Sequence, residues 1–385
     1  MSDKNKLEMQ IDEGLNNFNE EDLTINNEIE DNPYPAKVDF NKEQYSVYDL
    51  LRKITEYNEI ILQPDFQRNE KVWDNKKAVR LIESILMGIP LPLFYFAEQD
   101  NGKLAVVDGL QRLTVIKEFF ENKFALKKLT YLVEYNNKFF KDLPREAQAR
   151  IERYQIQANV INSKTPEKIK LDIFERINSG GSPLNKQEMR NAMYLGKSTK
   201  LLKELAESDV FKNSLSTRID SKRMRDRYII LRFLAFYLWG NQDKYQIKNL
   251  ELTSDFDAFL GSTMKIINKF SDETIEELEK LFYFSIQLAT TLYGKGAFVR
   301  NHVATGQFNM TIFESLMFIL SSINIKNITE QNVLYLESKI DSIFEDPLIQ
   351  KNFDESLKGK NTMIAHFGYL KNALIEIENE LCQKN

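Results

Sequence analysis

Residues that can handle phosphate recur at three turns of this chain. The first is Asp108-Gly109-Leu110-Gln111-Arg112, which follows the apolar run Leu104–Val107 and opens a helical pattern carrying Leu113, Ile116, Phe119 and Phe120. The first N–H groups of a helix are unpaired and lie at the positive end of its dipole. A glycine there lets an anion approach the backbone, and an arginine one step into the helix adds a bidentate contact. Gln111 offers a donor and an acceptor, and Asp108 could hold a cation, position a water or bond a ribose hydroxyl. Asp-Gly is also a common turn, so this motif alone leaves both a phosphate corner and a plain turn open. The second turn, Pro64-Asp65-Phe66-Gln67-Arg68, repeats the Gln-Arg pair after the short apolar run Ile60-Ile61-Leu62, with Trp73 beyond it. The third is Asn178-Ser179-Gly180-Gly181, where a helix ends. It serves equally as a C-cap or as a turn that frees Asn178 to point into a cleft. It lacks the spacing of a P-loop.

The elements that position these turns follow from periodicity. Ser46 is expected to cap a helix over 47–57, and Lys76–Met87 reads as a helix stopped by Gly88. Leu93–Ala97 and Leu104–Val107 read as strands joined by Asp100-Asn101-Gly102, a hairpin turn. A helix is expected over 111–120, a strand over 155–161 and a helix over 166–178. Asn185 with Glu188 predicts a capping box for the next helix. From about Ser198 onward only helical patterns remain. The expected organisation is an acidic disordered tail over 1–36, an α+β domain over 37–197 and an all-helical domain over 198–385.

Composition narrows the chemistry. Two histidines and one cysteine in 385 residues cannot assemble a Cys/His zinc site, and Cys382 can form no internal disulfide. A Ser-His-Asp triad would have to use His302 or His366, and neither stands in a recognisable motif. No apolar run is long enough to span a membrane and no signal peptide is evident, so a cytoplasmic protein is expected. The net charge of −5 is uneven: residues 1–31 carry −8, leaving +3 on the rest. Arg218, Lys222 and Arg225 share one helical face and are the candidate DNA contact, against the plainer reading of a solvated helix edge. Arg145, Arg150 and Arg153 form a second, weaker basic group.

Taken in order, Gln63–Arg68 with Trp73, Val107–Thr114, and Phe174–Asn178 with Gly181, Leu184 and Glu188 resemble the GmrSD-type restriction endonuclease N-terminal domain family, similar in fold to ParB and sulfiredoxin. The resemblance spans roughly residues 40–240. It implies a ParB/sulfiredoxin-like domain that binds and hydrolyses a nucleoside triphosphate with magnesium, within prokaryotic defence against phage or modified DNA. Carried onto this sequence, it implies catalytic roles for Asp108, Gln111 and Arg112, nucleotide contacts from Gln67, Arg68, Gly109, Thr114 and Asn178, and the metal at Asp108. Leu110 departs from the family's Asp-Gly-Gln-Gln-Arg box. His302 and His366 do not fit the His-Asn-His nuclease pattern of larger members, so a separate nuclease subunit is the expected partner, alongside DNA and further copies of the chain. Two other readings are a DNA-binding regulator that uses nucleotide as a switch, and a weak DNA-nicking enzyme.

Overall fold

The computed structural model describes residues 40–62, 75–99, 101–177, 185–217, 219, 221–323, 330–355 and 357–384. The chain divides after Leu195 into an N-terminal unit and a unit holding Gly196–Asn385.

The N-terminal unit is built on one mixed sheet. Its elements run β1 (Phe40–Ser46), α1 (Val47–Thr55), β2 (Ile60–Ile61), α2 (Asn75–Leu86), β3 (Phe94–Glu98), β4 (Leu104–Asp108), α3 (Leu110–Phe120), α4 (Arg145–Arg153), β5 (Gln155–Ile161), α5 (Glu167–Ile177) and α6 (Lys186–Met193). The strand order is β1-β5-β3-β4-β2. β3 and β4 form the expected hairpin, closed by Gly102 at φ 76°. β2 runs parallel to β4, with Ile60 opposite Leu104 and Ile61 opposite Ala105.

Side-chain alternation assigns the two faces of the sheet. Phe94, Phe96, Val106, Ile156, Ala158 and Val160 join the main core with Leu50, Ile82, Ile85, Leu113 and Ile116 from the helices. Ala105 and Val107, on the other face of β4, are also buried, and α6 packs against β4. A strand paired on both edges and buried on both faces holds its C-terminal end, Asp108, in a fixed place.

Local signals account for the helix starts. Ser46 accepts a hydrogen bond from the Asp49 N–H at 3.0 Å. Asn185 and Glu188 exchange bonds at 2.8 and 2.7 Å in a capping box. Two elements escape the periodicity: β1 is a polar edge strand paired antiparallel to β5, and α4 buries only Ala147 and Ile151.

The second unit is mostly helical: α7 (Lys197–Glu207), α8 (Asp209–Ser214), α9 (Arg225–Gly240), α10 (Phe256–Lys269), α11 (Asp272–Tyr293), α12 (Met310–Ser322), α13 (Glu330–Phe344), α14 (Pro347–Glu355) and α15 (Lys360–Lys384), with one isolated antiparallel bridge between Val299 and Phe308. α12 is buried from Met310 to Ser321, on every side, as a helix at the centre of a bundle must be. Phe236 of α9 stacks on Phe367 of α15 with ring centroids 4.1 Å apart. No helix among the described residues is long and apolar enough to cross a membrane.

Candidate functional site

The corner at the end of β4 is built around Phe94. A register shift between Tyr95 and Phe96 brings Asp108 opposite Tyr95 at the start of β3. Such bulges re-aim side chains at the end of a ladder. Gly109 then turns the chain at φ 97°, a left-handed conformation that disfavours any side chain. A Cβ at this position would also lie 2.3 Å from the Phe94 ring. Glycine is therefore required here on two counts. Gly109 is the N-cap of α3 and supplies no side-chain hydrogen bond to the first turn. Its carbonyl accepts the first helical bond, from the Leu113 N–H at 2.9 Å. The N–H groups of that turn thus have no side-chain cap.

Arg112 fills the space beside this turn. One guanidinium nitrogen, Nη2, donates to Asp108 Oδ2 at 2.8 Å and to the Leu93 carbonyl at 3.1 Å. Nη1 donates to the Pro92 carbonyl. The guanidinium carbon lies 4.1 Å from the centroid of the Phe94 ring. The Arg112 side chain is only 11% exposed, whereas that of Asp108 is 41% exposed. Burial lowers the pKa of Arg112 from its usual value, and Asp108 opposes that shift. An arginine starts far above neutrality, so the charge stays. The arrangement braces the segment 92–94, the strand end and the helix start against one another.

Gln111 is exposed on the first turn. Thr114 is half-buried, and its hydroxyl donates to the Leu110 carbonyl at 2.9 Å. Leu110 packs against the main core. That position faces inward, which gives the departure from the family's glutamine a physical reason.

Gln67, Arg68 and Asn178 lie outside the described residues, as do Trp73, Gly180 and Gly181. Because β2 is parallel to β4, the chain leaves Leu62 in the direction that β4 takes toward Asp108. α6 contributes something the sequence reading missed. Gln187, Glu188, Arg190 and Asn191 are all buried on a helix packed against β4. Arg190 Nε donates to Gln187 Oε1 at 3.1 Å, and Gln187 Nε2 is buried without a hydrogen-bond partner. The available signal was a helix whose polar residues outnumber what an exposed face requires.

The candidate DNA face is only partly visible: Arg218 and the side chain of Lys222 lie outside the description, and Arg225 is half-buried. Directly after Arg225, Asp226 and Arg227 are buried, with Arg227 3.9 Å from Glu207. Arg145 and Arg150 are paired with Glu152 and Glu146, each at 2.8 Å. Among the described residues no cluster of three or more His, Cys, Asp or Glu side chains could hold a metal ion.

The helical unit contains a set that looks catalytic. His366 lies 2.7 Å from Ser315 Oγ through Nε2 and 3.0 Å from Asn352 Nδ2 through Nδ1. Hydrogen-bond direction decides its role. Asn352 Nδ2 can only donate, so Nδ1 accepts and the ring proton sits on Nε2. That proton points at Ser315, whose own hydroxyl donates to the Thr311 carbonyl at 2.6 Å. A nucleophilic serine needs the reverse, a histidine nitrogen that accepts the hydroxyl proton. All three side chains are buried, and burial pushes His366 down to about 4. This is a sealed polar network. Beside it in sequence, Glu314 pairs with Arg232, both buried, and Arg232 lies over the Phe256 ring. The other histidine, His302, stacks on Tyr293 with centroids 3.7 Å apart, while the Tyr293 hydroxyl donates to Asp341 at 2.9 Å.

Residues 47–195 match the model of the family described as GmrSD restriction endonuclease, N-terminal domain. This segment is a domain of that family, and the family supports involvement in a restriction system. No curated protein matches the chain.

Proposed function

From the premise that residues 47–195 are a GmrSD-type N-terminal domain, we propose that the chain is the nucleoside-triphosphate-binding and hydrolysing component of a prokaryotic restriction or anti-phage system. The observation that carries this reading is the start of α3. There a left-handed glycine opens a helix whose first N–H groups have no side-chain cap, next to a half-exposed carboxylate and an exposed amide. Such a turn offers the donors and the dipole that a phosphate group uses.

Roles follow from the surroundings of each side chain. Gly109 and the first turn cradle phosphate. Gln111, exposed and uncommitted to packing, orients phosphate or the attacking water. Asp108 is the residue that would hold magnesium, an ion that commonly takes one or two protein carboxylates together with substrate phosphates. Magnesium would supply charge neutralisation there. Arg112 is assigned a bracing role with a short-range electrostatic contribution, because three of its donors are already directed at Asp108, Pro92 and Leu93. Gln67 and Arg68 are assigned as further nucleotide contacts on the strength of the family match alone.

The test is calorimetric titration of the full chain with each of the four ribonucleoside triphosphates and magnesium, followed by a phosphate-release assay. At least one should bind and be hydrolysed. Gln111→Ala should weaken that binding about tenfold or more, the loss of one charge-assisted hydrogen bond, with an unchanged melting temperature. Failure of every triphosphate to bind would overturn the reading.

A further inference from the structure

Between α3 and α4 the chain forms a loop that is held from inside and charged outside. Its base is closed by two backbone bonds, Leu126 N–H to the Lys138 carbonyl at 3.0 Å and Asn137 N–H to the Leu126 carbonyl at 2.6 Å. Ends this close define a compact surface loop of the Ω type, a form that is frequently functional. Leu126 and Leu129 anchor it in the main core. Glu83 of α2, itself buried, accepts the N–H groups of Thr130, Tyr131 and Leu132 at 2.9, 2.7 and 3.2 Å through one carboxylate oxygen. Asn136 Oδ1 accepts the Leu129 N–H at 3.0 Å. Lys128 is held at φ 58° and Asn137 at φ 65°. A long side chain in the left-handed region carries strain that the rest of the loop must offset.

This fixed loop presents groups that a protein normally buries or disperses. Tyr131 is 70% exposed and Val133 60% exposed, and Lys127, Lys128 and Thr130 are exposed beside them. From 122 to 141 the sequence holds five lysines (Lys123, Lys127, Lys128, Lys138 and Lys141) and a single acid, Glu134. Lys123 is paired with Glu121 at 2.9 Å, and Lys138 lies over the Tyr135 ring. The buried carboxylate beneath the loop, Glu83, is turned inward onto backbone donors, which leaves Glu134 as the loop's own exposed acid. Arg80, exposed and three residues before Glu83 on α2, sits one helical turn away on the same side. The outward surface is therefore cationic with a tyrosine at its centre. Duplex DNA is its complement: a dense row of phosphates for the cations and a sugar-phosphate surface for tyrosine hydroxyl and valine methyls.

We propose that the 126–138 loop is a duplex-DNA contact of the N-terminal unit, with Lys127, Lys128 and Arg80 on phosphates and Tyr131 donating to the backbone. The proposal draws on the restriction context for the kind of nucleic acid and is independent of nucleotide binding at Gly109.

Fluorescence anisotropy of the full chain with a short labelled duplex, across a series of salt concentrations, tests it. Wild-type affinity should fall steeply with salt. The double variant Lys127→Ala/Lys128→Ala should lower the slope of log K against log salt by about 1.8, the value for two lost phosphate contacts. Tyr131→Ala should weaken binding about tenfold or more, the loss of one hydrogen bond to a charged group. Both variants alter exposed side chains, so melting temperature and nucleotide titration should match wild type. Absence of duplex binding by the wild-type chain, or an unchanged slope in the double variant, would overturn the proposal. Nucleotide binding that survives in either case would leave the Gly109 reading standing.

Discussion

The corner at Asp108–Arg112 and the network around His366 hold side chains of equal chemical promise and differ in access and in the direction of their hydrogen bonds. At the corner, the glycine turn is uncapped, Gln111 is exposed and Asp108 is half-exposed. Around His366 every donor meets an acceptor within the fold, and nothing reaches solvent. A serine, a histidine and an asparagine at hydrogen-bond distance therefore make a structural clamp when the proton runs from histidine to serine to carbonyl. The same side chains would be a nucleophile and base only if that order were reversed and the serine were reachable. Proximity alone discriminates poorly.

The sharpest way to break this contrast is to open the sealed region. Glu314→Ala would leave Arg232 buried with no carboxylate partner, since the pair is the principal compensation for its charge. Removing one partner of a buried pair costs about 3–5 kcal/mol. Urea unfolding should report a loss in that range, with the midpoint falling and the slope unchanged. A loss under about 1 kcal/mol would mean that water reaches Arg232 and that the helical core is less sealed than described.

Acid probes the same region without mutation. His366 is held neutral in the fold, with its pKa depressed from 6.5 to about 4. The unfolded chain therefore binds a proton that the folded chain refuses as pH falls between those values. Stability is unaffected above about pH 6.5, declines from there to about pH 4, and has lost about 3 kcal/mol by the lower limit. His366→Gln should flatten that segment of the pH profile. A profile as steep in the variant as in wild type would assign the acid sensitivity to other groups.

How far the sequence reveals these two regions differs for the same physical reason. The corner is local: strand, glycine, polar pair and helix lie within ten consecutive residues, so pattern and turn chemistry expose it. The caps at Ser46 and at Asn185 with Glu188, and the hairpin at Gly102, are local in the same way. The His366 network joins residues 51 and 14 positions apart, and no spacing rule connects them. β1 was invisible because an edge strand with two aromatic residues among polar ones has little alternation to read. α4 was invisible because burying only Ala147 and Ile151 leaves too thin a stripe. Of the buried polar residues of α6 only Glu188 was legible, as half of a capping box, since a sequence shows that Gln187 and Arg190 are polar but not that their helix packs against β4.

The smallest expected effect concerns the corner itself and separates a brace from a ligand. In Arg112→Lys the charge is kept, but one ammonium cannot reproduce a planar fork reaching Asp108, Pro92 and Leu93 while lying flat on Phe94. Stability should fall by about 1–2 kcal/mol, the typical net value of one or two hydrogen bonds, measured as a drop in the urea midpoint. If Arg112 braces the turn without touching the ligand, nucleotide affinity should fall only about threefold in this variant, because the N–H groups that meet phosphate are kept and only their positioning loosens. The opposite pattern, unchanged stability with nucleotide binding abolished, would place the guanidinium on the ligand. The hydrogen bonds to the two carbonyls would then have to break when phosphate arrives, and the corner would be a moving part where the present geometry makes it a fixed one.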